Sequence, residues 1–269
     1  VGVIPQTPVL TVWPHIAVTG NGNVILAACP NPGFEGHYNT WNGSSWLANN
    51  VPLATVGGPS GQFSVEADAN GNAFVFGVNY NTNTASQLYK SADNGLTFSL
   101  ATGGDAPPEF LFNGADTLIS YVDGGKTGLY VGSDLHVVYA VYQYNSEAVP
   151  SVTPNTNWYK GAKIVHWSSA TGIDTVAGRY NMPNMADTIT QVLMTPVCQP
   201  SLGYFNGVLY CTFTAFLRGA TQVVDDGTVV NAGEIFLTYS TDNGNTWTTP
   251  VNLTNTPSIE EKHSSVSRK

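Results

Sequence analysis

Short apolar runs alternate along the chain with Gly- and Asn-rich breaks, and one arrangement of the two recurs. "PHIAVTGNGNVILAAC" from Pro14, "FSVEADANGNAFVFGV" from Phe63 and "PSLGYFNGVLYCTFTAF" from Pro200 each read as strand, tight turn, strand. β-Branched and aromatic residues favour the pleated strand, and Asn-Gly pairs tolerate the positive φ angles of a tight hairpin. "GLYVGSDLHVVYAVYQY" from Gly128 fits the same template with Ser-Asp at its turn. Two of the units run on into a second strand pair. "QLYK" (Gln87 to Lys90) leads through "SADNGLTF" into "TFSLAT", and "EIFLTY" (Glu234 to Tyr239) leads through "STDNGNTW" into "TWTTPVNLT".

Four antiparallel strands per unit, recurring every roughly 50 to 70 residues, predict an all-β chain folded as a β-propeller. The expected blades cover residues 13–56, 62–104, 128–180 and 197–254. Each blade alone would expose its faces, so neighbours must stack around an axis. The tail 261–269 opens like another blade, because "KHSSVS" parallels "WPHIAV". Two expectations follow for this single domain of residues 1–269. The chain is part of a larger propeller of about six or seven blades, truncated at its C-terminus, or the tail closes the ring against the first blade.

Composition narrows the partners. Hydrophobic residues make up 42% of the chain, enough for a core, whereas Asp, Glu, Lys and Arg make up only 10%. Polarity therefore comes from Asn, Thr, Ser, Gly and Tyr, residues suited to turns and strands. With a net charge of −9 and no run of Lys or Arg, the chain has nothing to track a phosphate backbone, and nucleic acid is not an expected partner. No stretch approaches the roughly 20 apolar residues of a membrane-spanning helix. Cys29, Cys198 and Cys211 show no zinc spacing, and the five histidines, His15, His37, His136, His166 and His263, show no ligand spacing, so neither metal nor cofactor is expected. Cys198 and Cys211 are spaced for adjacent strands, which leaves a disulfide and buried free thiols both open.

The pattern S-x-D-x-G-x-T-[WF] occurs twice, as Ser91, Asp93, Gly95, Thr97 and Phe98 and as Ser240, Asp242, Gly244, Thr246 and Trp247. It resembles the Asp-box, or BNR repeat, of the sialidase-like β-propellers. The Asp carboxylate can accept backbone N–H groups of its own turn, Gly permits the left-handed bend, and the aromatic ring plugs between sheets. The resemblance implies that these residues are structural and lie away from the active face. Sialidases of the family share three arginines that grip the substrate carboxylate, a Tyr nucleophile assisted by Glu, and an Asp acid/base. Here the arginines are Arg179, Arg218 and Arg268 alone, none precedes the first box, and "VIPQ" (Val3 to Gln6) stands where the family has Arg-Ile-Pro. That departure argues against classical sialidase chemistry.

A different glycosidase would need two carboxylates on one face, for which Glu35, Glu66, Asp68, Glu147, Asp187, Asp225 and Asp226 are candidates. Glu66 and Asp68 come first, since strand alternation in "FSVEAD" could aim Glu66 into the central channel. Val223 to Gly233 reads as a loop insertion ahead of an edge strand. Binding has the wider support. Tyr38 and Trp41 lie in "GFEGHYNTWNGSSWL", and Trp158 and Tyr159 in "NTNWYKGAKIVHW", where aromatic platforms stand beside amide and hydroxyl donors. Such surfaces suit an uncharged sugar face or a protein hot spot; Trp46 and Trp167 are equally suited to plugging between blades. The long segment Tyr144 to Tyr159 is the expected functional loop. The resulting expectation is an extracellular or cell-surface module that presents loops to a glycan or protein, alongside further blades or domains of the same polypeptide. An exo-acting glycoside hydrolase with an atypical site and a surface-layer or filament subunit are the alternatives.

Overall fold

The computed structural model describes residues 11–30, 35–54, 59–79, 86–108, 111–113, 116–120, 125–143, 161–186, 189 and 194–267. Four antiparallel sheets follow one another along the chain, and no α-helix occurs among the described residues. Blade I holds β1 (Thr11–Val18), β2 (Val24–Pro30), β3 (His37–Trp41) and β4 (Trp46–Pro52) in sequence order. Blade II repeats that order with β5 (Pro59–Ala67), β6 (Ala73–Asn79), β7 (Ser86–Ser91) and β8 (Ser99–Leu100).

Blade III departs from the expected four strands. A short hairpin of β9 (Leu111–Asn113) and β10 (Asp116–Ser120) precedes β11 (Lys126–Val131), β12 (Asp134–Gln143), β13 (Lys163–Ser168) and β14 (Gly172–Gly178). The ten-residue β12 has room for two partners on one edge: Asp134 to Tyr139 pair with β11, and Val141 to Gln143 pair with β10. Blade IV returns to four, with β15 (Val197–Phe205), β16 (Val208–Val223), β17 (Val229–Ser240) and β18 (Val251–Asn252). Val223 to Gly233 is no loose insertion, because β16 and β17 pair onward through Thr221↔Asn231 to Val223↔Val229. Nor is β17 an edge, since β18 pairs with it.

The first strands pack in series, β1 against β5, β5 against β11 and β11 against β15, and so line the axis. Core residues fill each gap between blades. Ala17, Ile25, Ala27, Phe63, Val65 and Val75 join blades I and II, and Phe74, Phe76, Leu88, Val137, Tyr139 and Trp167 join II and III. Val138, Ile164, Leu202, Phe213 and Phe236 join III and IV. Phe76 meets Tyr139 edge-on at 5.2 Å.

The two repeated turns close by the same bonds. Asp93 Oδ1 accepts from Ser91 Oγ at 2.7 Å and Thr97 N at 3.0 Å, and Oδ2 from Thr97 Oγ1 at 2.6 Å. Asp242 repeats the set with Ser240 Oγ at 2.8 Å, Thr246 N at 2.9 Å and Thr246 Oγ1 at 2.6 Å. Each turn then leans on the preceding blade. In blade II, Tyr38 OH donates to Leu96 O at 3.1 Å, Asn23 Nδ2 donates to Asn94 O at 3.2 Å, and Thr40 Oγ1 donates to Gly95 O. In blade IV, Gly244 lies against the His166 imidazole so closely that a Cβ there would stand 2.1 Å from Cε1; its φ of +87° also excludes a side chain.

His166 is in turn stacked on His136. Both are fully buried, their rings lie 5.2 Å apart, and His136 Nδ1 and His166 Nε2 share a hydrogen bond of 2.9 Å. Burial lowers the pKa of His166 to about 3, with the neighbouring His136 adding to the shift and the Gly244 backbone opposing it. His136 is also lowered by burial, against a smaller opposing effect of Asp134.

Candidate functional site at the propeller axis

Three of the four inner strands break their ladder near the start, whereas β11 pairs with β12 without a break. The register of β1 shifts between Val12 and His15, that of β5 between Ser60 and Ser64, and that of β15 between Cys198 and Ser201. At these bulges the backbone turns left-handed without glycine, at Trp13 (φ 52°) and Gln199 (φ 54°); Gly125 takes φ 83° directly before β11. Residue 263 in the tail does the same, with φ 57°. A bulge re-aims side chains and ends pairing, and left-handed non-glycine residues are held only where the surroundings enforce them.

These bulges converge on one cavity of ≈ 250 Å³. β1 contributes His15, β5 contributes Phe63 and Ser64, and β11 contributes Lys126 and Thr127. β15 adds Gln199 and Ser201, and the tail adds His263 and Ser264. His15 stands edge-on to Phe63 at 6.3 Å, and Gln199 Nε2 lies 3.5 Å from His263 Nε2. Thr214 Oγ1 donates to Gln199 Oε1 at 3.4 Å, which fixes the amide's orientation. Lys126 is only 8% exposed. The cavity thus offers imidazole, amide, hydroxyl and ammonium groups around one aromatic wall, and no carboxylate stands among its described lining residues.

The carboxylates chosen from the sequence sit elsewhere. Glu66 pairs with Phe74 and Ala67 with Ala73, which places Glu66 and Asp68 at the turn end of β5, away from the bulge. Asp68 closes its own turn, accepting from Asn70 N at 2.9 Å, Asn72 N at 2.8 Å and Asn72 Nδ2 at 2.6 Å. Glu66 lines a separate cavity with Asp68, Leu129 and Tyr130. Asp226 accepts from Thr228 N at 2.8 Å in the exposed β16–β17 turn. Asp187 and Glu147 lie outside the described residues.

Of the aromatic candidates, Tyr38 is corrected by its burial. Tyr38 is 5% exposed, meets Phe98 at 4.8 Å and is part of the blade I–II core, so it presents no platform to a ligand. Trp41 pairs with Trp46, ring centroids 5.3 Å apart, and lies opposite Val24 at the turn end of blade I. The axial cavity is at the other end. Trp167 is a buried plug in the blade II–III core. Trp158, Tyr159 and the segment Tyr144 to Tyr159 lie outside the described residues.

Arg179 Nη2 donates to Ala186 O at 3.1 Å and Arg218 Nη1 to Pro183 O at 3.3 Å, so both arginines clamp one backbone segment beside β16 and do not converge on the axis. Arg268 lies outside the described residues. Cys29, Cys198 and Cys211 are buried free thiols; the ladder sets Cys211 opposite Leu202 and Cys198 opposite Thr214. No helix is long and apolar enough to cross a membrane, and no group of three metal-ligating side chains occurs, among the described residues.

No family model matches the sequence, and no curated protein matches it. Solved structures do resemble the fold. An endo-arabinase from Bacteroides thetaiotaomicron VPI-5482 superposes with a TM-score of 0.50 at 13% identity over 93% of this chain and 84% of its own. The α-L-arabinofuranosidase Arb93A from Fusarium graminearum also gives 0.50, at 9% identity over 92% and 68%. The Hadza microbial sialidase Hz136 gives 0.49 at 14% identity, and this chain spans 46% of its length. The first two likenesses bear out the β-propeller fold, which this chain shares with those two glycoside hydrolases.

Proposed function

We propose that the protein is a glycan-binding β-propeller of the extracellular space or cell surface, and that its ligand is held at the axial cavity. The observation that carries the reading is the convergence of strained bulges on that cavity. Left-handed backbone at Trp13, Gln199 and His263 is costly, and strain of this kind clusters where side chains must be aimed. What the bulges aim is suited to sugar hydroxyls: an amide and two imidazoles that donate and accept, three serine hydroxyls, and Phe63 as a wall for a C–H-rich ring face.

Two structural neighbours are an endo-arabinase and an α-L-arabinofuranosidase, the latter solved with an iminosugar inhibitor, and they favour a carbohydrate over a protein ligand. Binding without cleavage is the reading favoured by the described lining groups, which are imidazole, amide and hydroxyl side chains beside the Lys126 ammonium, with no carboxylate among them. Hydrolysis, the activity in those neighbours' names, is the second reading.

A panel of labelled glycans, sialylated, neutral and arabinan-derived, incubated with the purified chain and resolved by mass spectrometry, separates the two. Retention of intact glycan that drops at least about tenfold in Gln199→Ala or His263→Ala supports binding at the axis. Released monosaccharide would replace it with hydrolysis, and retention unaffected by both substitutions would move the site off the axis.

A further inference from the structure

Burial divides the blades into two kinds. β6 and β12 stand between neighbours on both sides, and their residues from Ala73 to Val78 and from Leu135 to Tyr142 are buried without a break. Among the described residues, blades I and IV pack against a neighbouring blade through one face only. Ile16 pairs with Leu26 and Val18 with Val24, so these four side chains share the face turned away from blade II. Ile16 is 63% and Val18 58% exposed. In blade IV, Phe236 enters the core shared with blade III, whereas Ile235, Leu237 and Tyr239 face the other way and Tyr239 is 42% exposed.

On the open side of blade IV runs the segment 261–267. Glu261 N donates to Gly233 O at 2.9 Å, Ser264 Oγ to Thr212 Oγ1 at 2.9 Å, and Val266 N to Ser201 Oγ at 3.0 Å. The seat needs Gly203, because a Cβ there would stand 2.4 Å from Ser267 O and 2.5 Å from Val266 Cγ1. The segment also carries the inner-strand mark. His263 is left-handed like Trp13 and Gln199, and it lines the axial cavity with Ser264, as β1 and β15 line it with His15 and Ser201, each two residues beyond the left-handed one. Yet among the described residues 261–267 pairs with no second strand in any sheet.

We infer that residues 261–267 are the innermost strand of a fifth blade, and that the open faces of blades IV and I form the seat for the three antiparallel strands that complete it. The occupant is polypeptide joined in cis. Each of the four inner strands meets its second strand across a short turn, at residues 19–23, 68–72, 132–133 and 206–207, so the same connection serves the fifth. Its central strand is apolar on both sides, as β6 and β12 are, because it is covered on one side by Ile235, Leu237 and Tyr239 and on the other by Ile16 and Val18. This inference is independent of which ligand the axis holds.

The test uses the 269-residue chain and the same chain extended after Lys269 by a second copy of residues 206–252, the turn and three outer strands of blade IV. His263 to Lys269 spans the same distance in sequence as Gln199 to Phe205, so the copy enters in the register of β16. In the unextended chain the amides of 263–267 are expected to exchange faster than those of β15, and the open faces to bind the dye ANS. The extension is expected to slow those amides by at least about tenfold and to reduce dye binding, and Ile16→Lys in the extended chain to restore the dye. Three results overturn the inference: amides of 263–267 already as protected as those of β15 in the unextended chain, appended strands that gain no protection, or appended strands that gain protection while 263–267 does not change.

Discussion

Acid should open the junction between blades III and IV, and the size of the effect follows from His166. The imidazole is buried, stacked on His136 and pressed by the Gly244 backbone, so it has no room for hydration of a charged ring. Its folded pKa of about 3 lies below the ordinary 6.5. A depressed histidine means that the unfolded chain takes up the proton first. The stability contribution is therefore complete above about pH 6.5 and is lost as pH falls from there towards about 3. At about pH 4.5 the gap from the ordinary value is about two pH units, which at about 1.4 kcal/mol each gives a loss of about 2–3 kcal/mol relative to neutral pH. His136 shifts in the same direction, partly offset by Asp134, and because the two rings share one hydrogen bond the loss belongs to the pair. Urea unfolding at a series of pH values between about 7.5 and 4.5 measures it, and the double replacement His136→Phe with His166→Phe should flatten the profile over that range. A flat profile in the unaltered protein, or a ¹⁵N titration midpoint of His166 near its ordinary value, would refute the reasoning.

Asp242→Ala removes the acceptor for Ser240 Oγ, Thr246 N and Thr246 Oγ1, and should lower unfolding stability by about 1–3 kcal/mol, read from the urea midpoint. Gly244→Ala should cost at least as much, since it combines a positive φ with a clash on His166. Phe76→Ala empties the blade II–III core beside Tyr139 and should cost about 3–5 kcal/mol by the same measurement. The thiols of Cys198 and Cys211 are pushed up by burial, that of Cys198 to about 12, so a disulfide-exchange reagent should label no cysteine in the folded chain and all three after denaturation.

The fold was legible because its signals are local. Asn-Gly turns, β-branched runs and the paired S-x-D-x-G-x-T turns each specify a hairpin within about twenty residues of chain, and hairpins stacked in series leave few alternatives to a propeller. The site was not legible for the opposite reason. His15, Lys126, Gln199 and His263 are separated by dozens to over a hundred residues and are joined only by the position each holds on its inner strand. A trace of it was present in "WPHIAV" and "QPSLGY", whose first residues Trp13 and Gln199 are left-handed, and in "KHSSVS", where the left-handed residue is the second, His263. Aromatic density misled for Tyr38 and Trp167, because a ring in a Gly- and Asn-rich context looks exposed until the neighbouring blade is placed against it. Alternation misled for Glu66: the period of two assigns a residue to a face of the strand but says nothing about its height along the axis.

Height along the axis is what divides the labour in this molecule. All of the first and third turns of the blades fall at one end, including both repeated Asp turns, and there the side chains are spent on closing turns and gripping the preceding blade. The bulges fall at the other end, where the chain gives up ladder pairing and holds Trp13, Gln199 and His263 left-handed, whereas the left-handed non-glycine residues of the turn end, Asn94, Asn206 and Asn243, are asparagines, which tolerate that region. A propeller can carry that local cost because each inner strand is held by its second strand and by a neighbouring blade, so rigidity at the turn end permits strain at the bulge end. It follows that substitutions at the two ends should separate cleanly. Asp242→Ala should lower the urea midpoint and leave ligand affinity per folded molecule unchanged. His263→Ala should weaken binding with little change in the midpoint, and a variant that moved both together would contradict the division.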